Sequence, residues 1–132
     1  MSRASARQLE IQESAAHRAE LKNVILKFLS IASQVEKAAF TRPPNRGTAA
    51  DPVLDQFVDD LWLAQAEIDL AARSEPLRGA TYRYAACLAE AARGEMADVS
   101  ALRGPQVQFM DAAYDDLWPG QRRAAGDFPA PP

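Results

Sequence analysis

The chain has 132 residues with 15 Lys/Arg, 18 Asp/Glu and one His, a net charge of −3. That length fits one domain, able to bury roughly two-thirds of the surface its unfolded form exposes. The single cysteine, Cys87, excludes an internal disulfide framework, and the acidic balance argues against nonspecific nucleic-acid binding.

Alanine is abundant and β-branched residues are scattered, which favours helix over sheet. The first helix is expected from about Ser5 to Phe40. Leu21, Ile25, Phe28, Ala32, Val35 and Ala39 alternate at spacings of four and three, a helical stripe. Val24, Ile31, Ala38, Leu26 and Leu29 widen it, as suits a helix touched by several neighbours. After Met1, Leu9 and Ile11 are the only large apolar side chains among the first twenty residues, so this half, residues 1–17 above all, should overhang the bundle. No apolar core follows the basic N-terminus as in a secretory signal. The densest apolar stretch, Val24 to Ala32, is broken by Lys27 and Ser30 and falls short of the roughly 20 residues of a membrane span. A cytoplasmic protein with no membrane span is the expectation.

Thr41 to Ala50 reads as a loop, with Pro43 and Pro44 stopping the first helix. Asp51-Pro52 then forms an N-cap followed by Pro at the first helical position. The second helix runs to about Arg73 on the stripe Leu54, Phe57, Leu61, Ala64, Ile68 and Ala71. Ser74-Glu75-Pro76 starts a third helix to about Arg93, carrying Leu77, Tyr84, Ala85, Leu88 and Ala92, and Gly94 ends it. Asp98 to Arg103 suggests a short helical turn. A fourth helix opens at Gly104-Pro105 and ends near Trp118, with Val107, Met110, Tyr114 and Leu117 as its expected core stripe. The fold class implied is all-α: an antiparallel four-helix bundle over residues 1–118 whose long first helix overhangs, and a disordered Pro-rich tail over 119–132.

Charge is split along the chain. Residues 1–50 hold eight basic and four acidic side chains, a net of +4, while residues 51–132 hold seven and fourteen, a net of −7. A basic first helix beside acidic neighbours is the simpler reading, and a basic arm for an anionic partner is the sharper one.

Few side chains suggest chemistry. His17 and Glu20 have the spacing of a helical metal pair, but a bundle di-metal site needs a second such pair and no second histidine exists. Asp55, Asp59 and Asp60 are echoed at Asp111, Asp115 and Asp116, and Asp-Asp-Leu-Trp occurs at 59–62 and 115–118. Facing carboxylates can hold Mg²⁺, although these interleave with the core stripes so as to lie mainly outward. Trp62, Tyr84, Tyr114 and Trp118 are the candidates for a ligand pocket among the second to fourth helices. Cys87, in an Ala-rich run, reads as a small buried hydrophobe. Arg42 and Arg46 flank the Pro pair, and no Gly-rich phosphate loop exists.

Phe28-Leu29-Ser30-Ile31-Ala32 on the first helix and Ala64-Gln65-Ala66-Glu67-Ile68-Asp69-Leu70-Ala71-Ala72 on the second, followed by a break and a third Ala-rich helix, resemble uncharacterised small helical proteins of high-GC actinobacteria. The likeness covers about residues 18–118 and implies the helical topology but no activity. In many of those proteins a membrane segment precedes the first helix, and these 132 residues carry none. The function expected is a noncatalytic helical interaction module with a protein partner or a second copy, contacted through Arg3, Arg7, Leu9 and Ile11. A small-ligand sensor is the alternative, and a Mg²⁺ enzyme using the paired aspartates a remote one. Neither catalytic nor metal residues nor a cofactor are assigned.

Overall fold

The computed structural model describes residues 3–41, 51–96 and 98–121. Four helices make up an all-α bundle: α1 (Arg3–Phe40), α2 (Pro52–Ala71), α3 (Glu75–Ala92) and α4 (Arg103–Leu117), with a 3₁₀ turn (Val99–Leu102) leading into α4. The described residues contain no strand. The expected loop at 42–50, with Arg42 and Arg46, and the tail from 122 onward lie outside the described residues.

Local chemistry accounts for the helix ends. The Asp51 carboxylate accepts the backbone N–H groups of Val53 and Leu54, both at 3.2 Å, and Pro52 has no N–H to leave unpaired. The Ser74 hydroxyl accepts the Leu77 N–H at 3.3 Å, with Pro76 in the first turn of α3. Gly94, at φ 78°, supplies the left-handed residue just beyond α3. Asp98 caps the 3₁₀ turn by accepting the Ser100 N–H at 3.1 Å.

The core is the stripe of α1 met by the other three helices. Leu21, Ile25, Phe28, Ala32 and Val35 of α1 are buried with Leu54, Leu61, Ala64 and Ile68 of α2 and with Leu77, Tyr84, Ala85, Leu88 and Ala92 of α3. Three rings bind α1, α3 and α4 together: Phe28 lies 5.1 Å from Phe109 and 6.0 Å from Tyr84, and Tyr84 lies 5.9 Å from Phe109, between centroids. Such pairs contribute about 0.5–1.5 kcal/mol each beyond the area they bury. Thr81, fully buried, satisfies its hydroxyl on the Leu77 carbonyl at 2.7 Å.

Contacts between α1 and α4 run in opposite senses. Arg18 meets Leu117, Phe28 meets Phe109, and Glu36 meets Arg103, so residue numbers rise along one helix as they fall along the other. At 38 residues α1 is about 57 Å long. Its residues 3–16 are exposed on every side, and burial begins at His17 and Arg18.

The expected core face of α4 needs correction. Leu102, Phe109 and Ala113 are buried, whereas Val107 is 53% and Met110 37% exposed, and Tyr114 and Leu117 are half-buried. One residue of helix is a turn of about 100°, so moving from Met110 to Phe109 selects a neighbouring face. Phe109 wins because only that face closes the aromatic triangle with Phe28 and Tyr84. The stripe Val107, Met110, Tyr114 and Leu117 lies along the edge of the bundle.

Candidate interaction groove and polar cleft

Three residues of that stripe, Met110, Tyr114 and Leu117, form one lip of an open groove of about 350 Å³ between α1 and α4. Lys22, Ile25, Leu26 and Leu29 line the α1 side, and Met110, Ala113, Tyr114 and Leu117 the α4 side. Leu26 is 53% exposed at the rim. The walls are almost wholly apolar, with Lys22 the one charged lining residue. Asp111 and Asp115 are exposed but do not line the groove, since each is turned about 100° around α4 from the groove residue before it.

Leu117 also borders a second depression, a polar cleft of about 250 Å³ at the end of the bundle. Ser14, His17 and Arg18 of α1, Arg73 beyond α2, Asp115 and Asp116 of α4, and Pro119 complete it. Arg18 holds this corner. Its Nε donates to the Leu117 carbonyl at 2.8 Å, and its guanidinium lies 4.9 Å from the Trp118 ring centre. A cation on the last carbonyls of α4 satisfies an acceptor the helix leaves open and complements its dipole. The sequence carries no signal for this, since it depends on where a residue 99 positions away ends up.

The other candidates disperse. Tyr84 is in the core; burial, with the Glu36 carboxylate nearby, pushes its hydroxyl up to about 12. Trp62 is half-buried against Tyr82 at 5.6 Å, Tyr114 lines the groove, and Trp118 is 44% exposed over Arg18. The four aromatics proposed as one pocket thus lie in four settings, because their spacings on α2, α3 and α4 point to different faces of the bundle. On the overhang, Arg3, Arg7, Leu9 and Ile11 are all exposed. Leu9 and Ile11 are two residues apart and therefore about 200° apart around the helix, so one flat partner cannot cover both.

His17 faces the polar cleft with Asp115 and Asp116, and Glu20 is not part of that lining. Among the described residues no group of three or more His, Cys, Asp or Glu is placed to hold a metal ion. Asp55, Asp59, Asp111 and Asp115 are exposed, and Asp60 accepts a hydrogen bond from Gln56 at 2.9 Å. The two Asp-Asp-Leu-Trp segments differ in setting: Leu61 is fully buried inside α2, while Leu117 ends α4 half-buried. Burial and the Glu90 carboxylate push the Cys87 thiol up, away from the reactive thiolate form.

The charge split has a mixed outcome. Lys27 of α1 meets Glu67 of α2 at 2.8 Å, whereas Glu36 of α1 meets Arg103 of α4 with the polarity reversed. No described helix is long and apolar enough to cross a membrane. Comparison with protein-family models, curated proteins and solved structures gives no match.

Proposed function

We propose that the protein is a noncatalytic helical interaction module that binds through the groove between α1 and α4. One observation carries this reading: Met110, Tyr114 and Leu117 of α4, with Leu26 and Leu29 of α1, stay partly or largely exposed and line a concavity. Apolar grooves bounded by two helices accept the apolar face of a third, with anchors at spacings of three and four. The exposed Leu63 and Leu70 of α2 are separate projections on the outer side of that helix, and single exposed leucines are ordinary.

The test pairs the wild-type chain with a Leu26→Glu/Met110→Glu variant. Both side chains are substantially exposed, so the variant should keep wild-type helicity and melting temperature. Proteins recovered with the wild-type chain, its own differently tagged copies included, should be lost with the variant. Recovery of the same set by both chains, or of nothing by the wild type, would overturn the reading.

A second reading has one observation behind it. Because Leu117 borders both depressions, an amphiphile could lay its tail in the groove and its head in the polar cleft. Stabilisation by single-chain amphiphiles below their micellar concentration, abolished by Leu26→Glu, would favour it.

A further inference from the structure

We infer that the groove is covered by residues 122–132 of the same chain, with Phe128 seated between Leu26 and Met110 and Asp127 beside Lys22. This rests on the reading of the groove as a binding surface, and adds that a partner must displace this segment to enter it.

The described chain leaves α4 next to the groove. Gln121 donates its N–H to the Trp118 carbonyl at 3.1 Å, and the Trp118 ring lies against the Arg18 guanidinium. The chain therefore passes into residue 122 beside Arg18, one turn of α1 before Lys22. Lys22 stands about 6 Å further along that helix. Six residues, 122–127, span at most about 20 Å. They cover that height with enough left to cross from the end of α4 to the mouth of the groove.

The order of residues agrees on both sides. With residue 18 level with 117 and residue 28 level with 109, the groove presents Lys22 first, then Leu26 and Met110, then Leu29. Residues 122–132 present Asp127 first, then Phe128, then Pro129-Ala130-Pro131-Pro132. Lys22 to Leu29 is about 10 Å of helix, and Phe128 to Pro131 is about 9 Å of extended chain. Phe128 is the one large apolar side chain of the segment. Prolines dock in aromatic-lined grooves with little backbone entropy left to lose, and Tyr114 is part of this wall.

Lys22 is the one charged residue in the lining, and among the described residues no carboxylate pairs with it. The groove of a second copy brings it none, because Asp111 and Asp115 are turned away around α4. Asp127 brings one, adjoining the ring that enters the apolar walls. A tether this short holds the segment at an effective concentration of about a millimolar. A contact of only millimolar strength then keeps the groove covered about half the time.

The test puts the photo-reactive p-benzoylphenylalanine in place of Phe128 in the full chain and irradiates it at about 1 µM, too dilute for a weak pair of copies. Adducts should form within one chain, at its mass of 14.4 kDa, and map to Leu26, Leu29 or Met110. Lys22→Asp should lower their yield at least threefold, and Lys22→Asp/Asp127→Lys should restore it. Leu26→Glu should abolish them and Leu70→Glu, on α2, should leave them intact, each variant keeping wild-type helicity. In the full chain Asp127→Lys/Phe128→Glu should uncover the groove and raise recovery of its protein partner at least twofold.

Adducts mapping outside residues 22–29 and 110–117, no adducts at all, or a yield that Lys22→Asp leaves unmoved overturn the inference. So do adducts between two chains, which hand the groove to a second copy, and partner recovery unchanged by Asp127→Lys/Phe128→Glu. If adducts miss the groove while Leu26→Glu/Met110→Glu still loses proteins that the wild type recovers, the covering segment falls and the interaction module stands. If adducts map to the groove but neither the wild type nor Asp127→Lys/Phe128→Glu recovers any protein, the covering segment stands and the module falls.

Discussion

Which face α4 turns inward can be tested with two neighbouring truncations, Phe109→Ala and Met110→Ala. Phe109 is fully buried and its ring touches those of Phe28 and Tyr84. Removing a buried Phe side chain costs about 3–5 kcal/mol, as lost transfer energy plus the cavity left behind. Met110 keeps 37% of its surface in water. Its truncation deepens an open groove and creates no void, so the cost should stay below about 1 kcal/mol. A domain of this size has a total stability of about 7–20 kcal/mol, so both variants should still fold. One kcal/mol moves the melting temperature of such a domain by roughly 3–5 °C. Phe109→Ala should therefore lower it by roughly 10–20 °C and Met110→Ala by less than about 5 °C. Urea titrations should show the same order in midpoint at unchanged slope. Equal losses, or a larger loss at Met110, would mean that α4 presents the other face to the core.

Two further outcomes follow from single contacts. Arg18→Ala removes a charged hydrogen bond to the Leu117 carbonyl and the contact with Trp118, and should cost about 1–2 kcal/mol. Hydrogen exchange in the last turn of α4 should quicken, and unchanged protection there would show that Arg18 does not hold the corner. Tyr84 stays neutral in the fold up to about 12, above its ordinary value of 10.0. The unfolded chain then gives up this proton first, so the contribution of the neutral buried ring is fully present below pH 10 and lost as pH rises through 12. Wild type should lose melting temperature over that window more steeply than Tyr84→Phe, and parallel curves would refute the assignment.

Much of the bundle was legible because its signals are local. Asp51-Pro52, Ser74-Glu75-Pro76 and Gly94 mark helix ends through groups within three residues of one another, and each lies within two residues of where it was expected to act. The stripes of the first three helices worked for the same reason. Each offers one dominant apolar arc: Leu21, Ile25, Phe28, Ala32 and Val35 are buried, as are Leu77, Tyr84, Ala85, Leu88 and Ala92. The candidate sites fared differently. Trp62, Tyr84, Tyr114 and Trp118 share a type and a region of sequence, yet helix rotation sends them to separate surroundings.

For this protein the amino-acid order determined the helices, their caps, the inward faces of α1 to α3 and the polar character of residues 3–16. Those properties depend on neighbours within a turn or two. The tertiary structure decided the face of α4, the groove and the Arg18 corner. Apolar residues surround α4 on a wide arc, Val107, Phe109, Met110, Ala113, Tyr114 and Leu117 among them, so periodicity fits two stripes about equally. The choice between them is made by Phe28 and Tyr84 on two other helices, where one ring fits and the adjacent thioether does not. The rejected stripe became the surface on which the proposed function rests.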